Sequence, residues 1–243
     1  AADTMDLGAA TVAGDYTVYA GTSIDDSGAQ IITGDAAFKT HDDSSQITLN
    51  HPSNSFGGTV SYEGGIGFTV NDTDVSGFVL VGRTLLGNLV VTAAGPVTQS
   101  GALIVGGFTI ISATGQNVTL ANASNDFQAA VQIAGANVEV VDTNGIDLGT
   151  STVTGTYEVT TNGAVTNSGT QEITGVTTIT AGSNNNITLD HATNNFAAAV
   201  EIASGNDVAI TDEDAIILGA STVSGTYDIT AGGAVTNSGT LEI

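Results

Sequence analysis

The sequence of 243 residues contains no cysteine, which excludes disulfide bonds, thiolate nucleophiles and cysteine-ligated zinc. It also lacks tryptophan and has only two prolines, Pro52 and Pro96. No run of 18 or more apolar residues occurs, so the sequence predicts no membrane-spanning helix. The apolar residues are mostly Val, Ile, Leu and Ala. Such small side chains favour thin, closely stacked sheets.

Basic side chains are almost absent. Lys39 and Arg83 stand against 25 acidic residues, and the formal net charge is −23. A field of this sign repels nucleic acid and anionic membranes, because phosphate binding depends on Lys and Arg. Hydrophobic residues nevertheless make up 41% of the chain and charged residues only 11%, so the sequence is not a disordered acidic tail. We expect a folded protein with no nucleic-acid partner.

Internal repeats decide the architecture. ITLNHPSNSF begins at Ile47, VTLANASNDF at Val118 and ITLDHATNNF at Ile187, at offsets of 71 and 69 residues. A second motif, LGTSTVTGTY at Leu148, recurs as LGASTVSGTY at Leu218. The segment LGAATVAGDY from residue 7 is the same unit, and LVGRTLLGNL from residue 80 is a weaker copy. The chain therefore divides into superrepeats of about 70 residues, over 1–46 (partial), 47–117, 118–186 and 187–243 (partial).

Short alternating apolar and polar runs recur within each copy, separated by Gly, Asn, Asp and Ser. Strands this short cannot bury an apolar face alone, so stacked coils must share one core. We predict an all-β fold, a right-handed parallel β-helix forming one continuous solenoid over 1–243. It should have about 13 coils, roughly four for each superrepeat. A string of small β-sandwiches is the rival fold, which buries too small a fraction of its surface. The side chains predicted to face the core are Leu49, Leu120, Val131, Val140, Leu148, Val153, Val165, Ile173, Leu189, Leu218 and Val223.

Three motifs, ITLxxAxNxF, LGxSTVxGTY and GAVTNSGTxxI, resemble the repeats of filamentous-haemagglutinin-like bacterial adhesins and related beta strand repeat surface proteins. The resemblance covers nearly the whole chain and implies export to the cell surface, with a role in attachment or fibre formation. On this basis we expect a non-catalytic rod, stalk or filament outside the cell. Its expected partners are other copies or further repeats, packed end to end or laterally, and host or surface glycans.

Both ends of the sequence fall inside a repeat. Ile243 aligns with Ile173, and joining Ile243 to Ala1 of a second chain would omit the equivalent of residues 174–211. Head-to-tail stacking would therefore break the superperiod. We expect a segment of a longer filament rather than a unit that polymerises by simple joining.

One acidic turn recurs in phase and suggests a metal. Asp72, Asp142 and Asp212 are each 70 residues apart, and the residues two positions later are Asp74, Asn144 and Asp214. Carboxylate and amide oxygens are ligands that Ca²⁺ favours, although Ca²⁺ needs six to eight of them. The sequence thus predicts a possible weak Ca²⁺ site and no other cofactor. The alternative is that these residues form solvated turns.

The remaining candidates favour packing over catalysis. His51 and His191 occupy one repeat position where the middle copy has Asn122, and an active site is not expected to repeat along a rod in this way. We therefore predict no enzyme, and keep a polysaccharide-degrading β-helix enzyme and an ice-binding threonine array as less favoured alternatives. Two further sets recur in phase. Phe56, Phe127 and Phe196 are expected to fill the core, and Asn54, Asn125 and Asn194 to stabilise turns.

Overall fold

The computed structural model describes residues 4–41 and 44–243, and this part of the chain contains β-strands and no helix. The first strands are β1 Met5–Leu7, β2 Ala10–Val12, β3 Tyr16–Ala20, β4 Ile24–Asp26, β5 Gln30–Ile32, β6 Ala36–Thr40, β7 Gln46–Leu49, β8 Ser55–Phe56, β9 Val60–Glu63, β10 Gly67–Asp72, β11 Phe78–Leu80 and β12 Arg83–Leu85. They continue as β13 Leu89–Ala93, β14 Val97–Gln99, β15 Leu103–Val105, β16 Thr109–Ser112, β17 Val118–Leu120, β18 Asp126–Phe127, β19 Val131–Gly135, β20 Val138–Asp142, β21 Ile146–Leu148, β22 Ser151–Val153, β23 Tyr157–Thr161 and β24 Val165–Asn167. The last are β25 Gln171–Ile173, β26 Thr177–Thr180, β27 Ile187–Leu189, β28 Asn195–Phe196, β29 Ala199–Ser204, β30 Val208–Asp212, β31 Ile216–Leu218, β32 Ser221–Thr222, β33 Tyr227–Ala231, β34 Val235–Asn237 and β35 Leu241–Glu242.

Two long parallel sheets run along the solenoid, and each coil contributes one strand to each of them. The first sheet follows the order β1-β4-β7-β10-β13-β16-β19-β21-β24-β27-β30-β33. The second follows β3-β6-β9-β11-β14-β17-β20-β23-β26-β29-β31-β34. Each order contains 12 strands, so the described chain forms 12 coils. At a strand spacing near 4.8 Å, the stack is about 55 Å long.

Short third strands close the coils, and they change sides along the rod. Strands β2, β5 and β8 follow the first sheet and precede the second, whereas β12, β15 and β18 follow the second and precede the first. The next group, β22, β25 and β28, returns to the original side, and β32 and β35 change again. The switch to β22 is made at β19, where Val131 pairs with Leu148 of β21 while Ala134 pairs with Thr152 of β22.

This alternation follows from the length of the superrepeat. The aligned motif forms β7 in the first sheet, β17 in the second and β27 in the first again. Each copy lies on the seventh long strand after the previous copy, which is a distance of three and a half turns. Successive superrepeats are therefore half a turn apart around the axis. The predicted solenoid is confirmed, but the expected 13 coils and four coils per superrepeat were slightly too many, because one coil uses about 20 residues.

The core is continuous from one coil to the next. Every strand pair among the described residues is parallel, which rules out the rival string of antiparallel sandwiches, and all the side chains predicted to face inward are buried. The three in-phase phenylalanines are also confirmed as core residues, with exposures of 1%, 2% and 1% for Phe56, Phe127 and Phe196. The rings of Tyr62 and Phe68 stack at a centroid distance of 4.0 Å. Within the described ranges, no helix has the length and hydrophobicity needed to cross a membrane. Right-handed coiling stays a prediction from the general preference of parallel crossovers.

Candidate functional site

The in-phase aspartates lie inside the solenoid wall. Asp72, Asp142 and Asp212 are each 1% exposed, so the expectation of solvated turns was wrong for these side chains. Asp142 accepts a hydrogen bond from the Phe127 N–H at 2.7 Å and another from the Asn144 N–H at 2.7 Å. The backbone thus supplies the hydrogen bonds that water would supply at an exposed turn.

The other two copies repeat this arrangement with one difference. Asp212 accepts from the Phe196 and Asp214 N–H groups through separate oxygens, at 3.0 and 2.8 Å. In Asp72, a single oxygen, Oδ1, accepts both corresponding bonds at 3.0 Å. The Oδ2 atom of Asp72 is buried without a partner among the described residues. Asp72 therefore accepts hydrogen bonds through one carboxylate oxygen, whereas Asp142 and Asp212 each use both oxygens.

A buried asparagine lies one coil before each aspartate. Asn125 Nδ2 donates to the Leu120 carbonyl at 3.0 Å, which closes its own turn as predicted. Its Oδ1 accepts from the Leu103 N–H at 2.9 Å, and its side chain exchanges two hydrogen bonds with Gln99 at 2.8 and 2.9 Å. The position of Gln99 is taken by Asp26 beside Asn54 and by Asn167 beside Asn194. These residues link successive coils as well as closing turns.

The side chains of five of the six predicted Ca²⁺ ligands are therefore already engaged in hydrogen bonds, and Asp214 is the exception among the described residues. The partner side chains also point to other groups: Asp74 accepts from the N–H and hydroxyl of Ser76, and Asn144 donates to Asp126 at 3.3 Å. Across residues 4–41 and 44–243, no group of three or more His, Cys, Asp or Glu side chains is arranged to hold a metal ion. Binding of Ca²⁺ at Asp72, Asp74, Asp142, Asn144, Asp212 and Asp214 stays a prediction.

Burial affects the acidity of these carboxyls. It raises the pKa of Asp26, Asp72 and Asp142 above the usual value, and the hydrogen bonds that each accepts oppose this rise. Conversely, the hydrogen bond from the Ser76 side chain lowers the pKa of Asp74. His51 and His191 are half-buried, and the Nδ1 atom of each accepts a hydrogen bond from a backbone N–H two residues later in its own turn. His41 is exposed.

Arg83 occupies a repeat position where the other copies have a small residue, which is buried in two of them. The aligned motif places Ala10, Ser151 and Ser221 at this position in the other copies. Ser151 is 1% exposed; its hydroxyl accepts from the Ile133 N–H and donates to the Gly149 carbonyl, both at 3.2 Å. Ser221 makes the same two bonds with Ile202 and Gly219. The serine thereby fastens the short strand to the preceding coil.

The Arg83 copy lacks these two serine hydrogen bonds. Residues 133 and 202 correspond to Tyr62, whose carbonyl accepts a 2.8 Å hydrogen bond from Arg83 Nε. Strand β12 pairs only with the following strand β15, whereas its counterpart β22 also pairs with the preceding strand β19. After Tyr62 the chain turns through Gly64 and Gly65, whose φ angles of 84° and 103° favour glycine. The wall of the solenoid opens where the short strands change sides.

The opening is a cleft of about 720 Å³, which we call the Arg83 cleft. Its lining comes from β9, the β11–β12 loop, β12 and the β14–β15 loop: Tyr62, Glu63, Gly64, Val81, Gly82, Arg83, Thr84, Leu85, Ser100, Gly101 and Ala102. The corresponding cleft at Ser221 measures about 300 Å³, and a cleft beside Thr152, lined by β16, β19 and β22, measures about 210 Å³. A second cleft of about 690 Å³ adjoins it, sharing Glu63 and Gly64.

The two adjoining clefts also hold the basic side chains of this acidic protein. Lys39 and Arg83, the only Lys and Arg of the chain, line the two adjoining clefts. Lys39 forms a 2.9 Å ion pair with Glu63, whose pKa is lowered by that hydrogen bond, and its Nζ lies 5.6 Å from the Tyr19 ring centroid. The terminal nitrogens of Arg83 have no hydrogen-bond or ion-pair partner among the described residues. One cation is thus left uncompensated at the cleft.

Sequence reasoning recognised Lys39 and Arg83 only as the two basic side chains. The available signal was the motif alignment, in which Arg83 stands against Ala10, Ser151 and Ser221. What the alignment could not reveal is that the replacement coincides with a break in strand pairing.

Comparison with known proteins identifies the repeat. A family model described as repeats of unknown function (DUF5649) matches residues 1–63, 67–134, 135–203 and 205–243. The matches over 67–134 and 135–203 are close in length to the 70-residue superperiod. No curated protein and no solved structure matches the chain significantly.

Proposed function

Because this chain belongs to the family of repeats of unknown function (DUF5649), we propose a function from its architecture: a structural and adhesive segment of a rod or filament on a bacterial cell surface, with no catalytic activity. The observation that carries the proposal is the uninterrupted core through 12 coils. Each coil is held by the coils on both sides, so length can be added by adding repeats.

Several features support a mechanical role. Connections between strands are short throughout the described chain, so little material projects from the rod. The buried asparagines and aspartates join neighbouring coils at each superrepeat. The resemblance of the sequence motifs to filamentous-haemagglutinin-like adhesins is consistent with a place outside the cell, and the absence of cysteine suits chains that cross membranes unfolded.

The half-turn between superrepeats bears on adhesion. A surface feature repeated in each superrepeat is presented on opposite sides of the rod in turn, about 17 Å apart along the axis. A filament built in this way offers equivalent surfaces in two directions, which is useful for binding other copies laterally or bridging two surfaces.

Two experiments test the proposal. Small-angle X-ray scattering of the purified chain should give a rod about 55 Å long. On intact cells that carry the parent protein, an antibody against this chain should label the surface, and deletion of the repeats should reduce attachment. Labelling only after the cells are permeabilised would contradict the location. Turnover of a polysaccharide that is lost on changing Asp72 or Asp74 would contradict the non-catalytic role.

A further inference from the structure

We propose that the Arg83 cleft binds a carboxylate-bearing sugar, such as a uronic acid unit of an acidic oligosaccharide. The inference rests on the proposed adhesive function and names the ligand class that one part of the rod would recognise. The cleft at Arg83 measures about 720 Å³, whereas the corresponding cleft at Ser221 measures about 300 Å³ and the one beside Thr152 about 210 Å³.

The guanidinium determines the ligand's charge. Arg83 Nε is engaged by the Tyr62 carbonyl at 2.8 Å, which orients the planar group while its two terminal nitrogens have no partner among the described residues. Such a fork matches the two oxygens of a carboxylate. Glu63 is neutralised by Lys39, so one positive charge remains to be balanced. A singly charged carboxylate balances it, whereas a phosphate dianion would add charge to a chain that already carries −23.

The rest of the lining determines the ligand's shape. Thr84 and Ser100 are exposed and present hydroxyl groups, and the small residues Gly82, Gly101 and Ala102 complete this part of the lining. Leu85 is buried, so no deep apolar pocket is available to anchor a peptide side chain. An open, polar cleft of this size suits a hydroxylated ring. The adjoining cleft, with the exposed Tyr19 ring, extends the surface far enough for an oligomer.

Isothermal titration calorimetry of the purified chain tests the proposal. The probes are trimers of galacturonate, mannuronate and glucuronate-containing hyaluronan, each compared with its methyl ester, which keeps the shape and removes the charge. Wild type should bind at least one acid trimer. Arg83→Ser installs the residue found at Ser151 and Ser221, and it should weaken binding by about 10- to 100-fold, the range for a hydrogen bond to a charged group. Wild type should bind the methyl ester more weakly than the acid by the same factor, because the ester has no charge for Arg83 to bind.

Two variants control this measurement. Arg83→Lys keeps the charge and removes the fork, so binding should be weaker than wild type and stronger than in Arg83→Ser. Glu158→Gln changes a charge on the distant strand β23 and should leave binding unchanged. Melting temperatures check that each variant is folded.

Three results would contradict the proposal, and each has a different meaning. Absence of binding to every acid trimer, or equal binding by wild type and a folded Arg83→Ser or Arg83→Lys variant, overturns the proposal. A short peptide with a free C-terminal carboxylate that binds through Arg83 more tightly than any sugar would assign the cleft to peptides instead. If cells still attach while the purified chain binds no uronate, the ligand class is wrong and the adhesive function stands.

Discussion

Arg83 and Ser151 occupy the same repeat position in two different coils, but they bond to the preceding coil in different ways. Ser151 bonds to the Ile133 N–H and joins β22 to β19, whereas Arg83 bonds to the Tyr62 carbonyl while β12 is left unpaired on that side. A small hydroxyl can satisfy a backbone group inside the wall, but a guanidinium must reach solvent. A single replacement therefore coincides with a change from a closed wall to a cleft.

The largest expected effect comes from moving the arginine to the closed position. Ser151→Arg places an uncompensated charge at a residue that is 1% exposed, and should cost about 3 to 5 kcal/mol of unfolding free energy. Urea unfolding measures the loss, and hydrogen exchange at the Thr154 amide, which donates to the Gly135 carbonyl of β19, should show opening of the β19–β22 pairing. Ser151→Ala, the matched control, should cost less because no charge is buried. If Ser151→Arg were as stable as wild type, closure at this position would not depend on the serine.

The buried aspartates offer a second comparison between the same two superrepeats. In Asp142→Asn one of the two backbone N–H groups would face an amide nitrogen, so we expect a loss of about 1 to 3 kcal/mol at pH 7. In Asp72→Asn, Oδ1 can keep both bonds, and the loss should be under about 1 kcal/mol. Urea unfolding of the two variants measures the difference. Equal losses would show that the second oxygen of Asp142 contributes little.

The pH dependence of Asp72→Asn sharpens that comparison. Burial raises the pKa of Asp72 in the folded state, so the protonated carboxyl stabilises the fold below about pH 4. This contribution is lost as the pH rises through the folded-state pKa. Because Asn is never ionised, the stability of Asp72→Asn relative to wild type should increase from pH 4 to pH 7. Urea unfolding at intervals over this range tests the sign, and a constant or falling difference would contradict it.

The smallest expected effect concerns calcium. The carboxylates of Asp72, Asp142 and Asp212 already accept backbone hydrogen bonds, so we expect the same melting temperature in millimolar calcium and in EDTA. Scanning calorimetry makes the measurement, with magnesium as the control cation. An increase specific to calcium that disappears in Asp142→Ala would instead support the metal site that the sequence suggests.

Much of the architecture was predictable because it depends on local pattern. The alternation in Val138–Asp142 and the phenylalanines two residues after Asn54, Asn125 and Asn194 were sufficient to predict strands, core positions and the solenoid. Burial of Asp142 was not predictable, because the same Asp-x-Asn turn is solvated unless another coil brings the Phe127 N–H to it.

What the sequence determined by itself is the 70-residue period, the parallel stacking that small alternating strands require, and the acidic surface left by only two Lys and Arg residues. The tertiary structure alone decided that the period spans three and a half turns, because the number of residues in a coil depends on where corners form. It also decided that Arg83 opens a cleft while Ser151 closes one. Whether a side chain is held in the wall or reaches solvent depends on the backbone of the neighbouring coil, about 20 residues away in sequence.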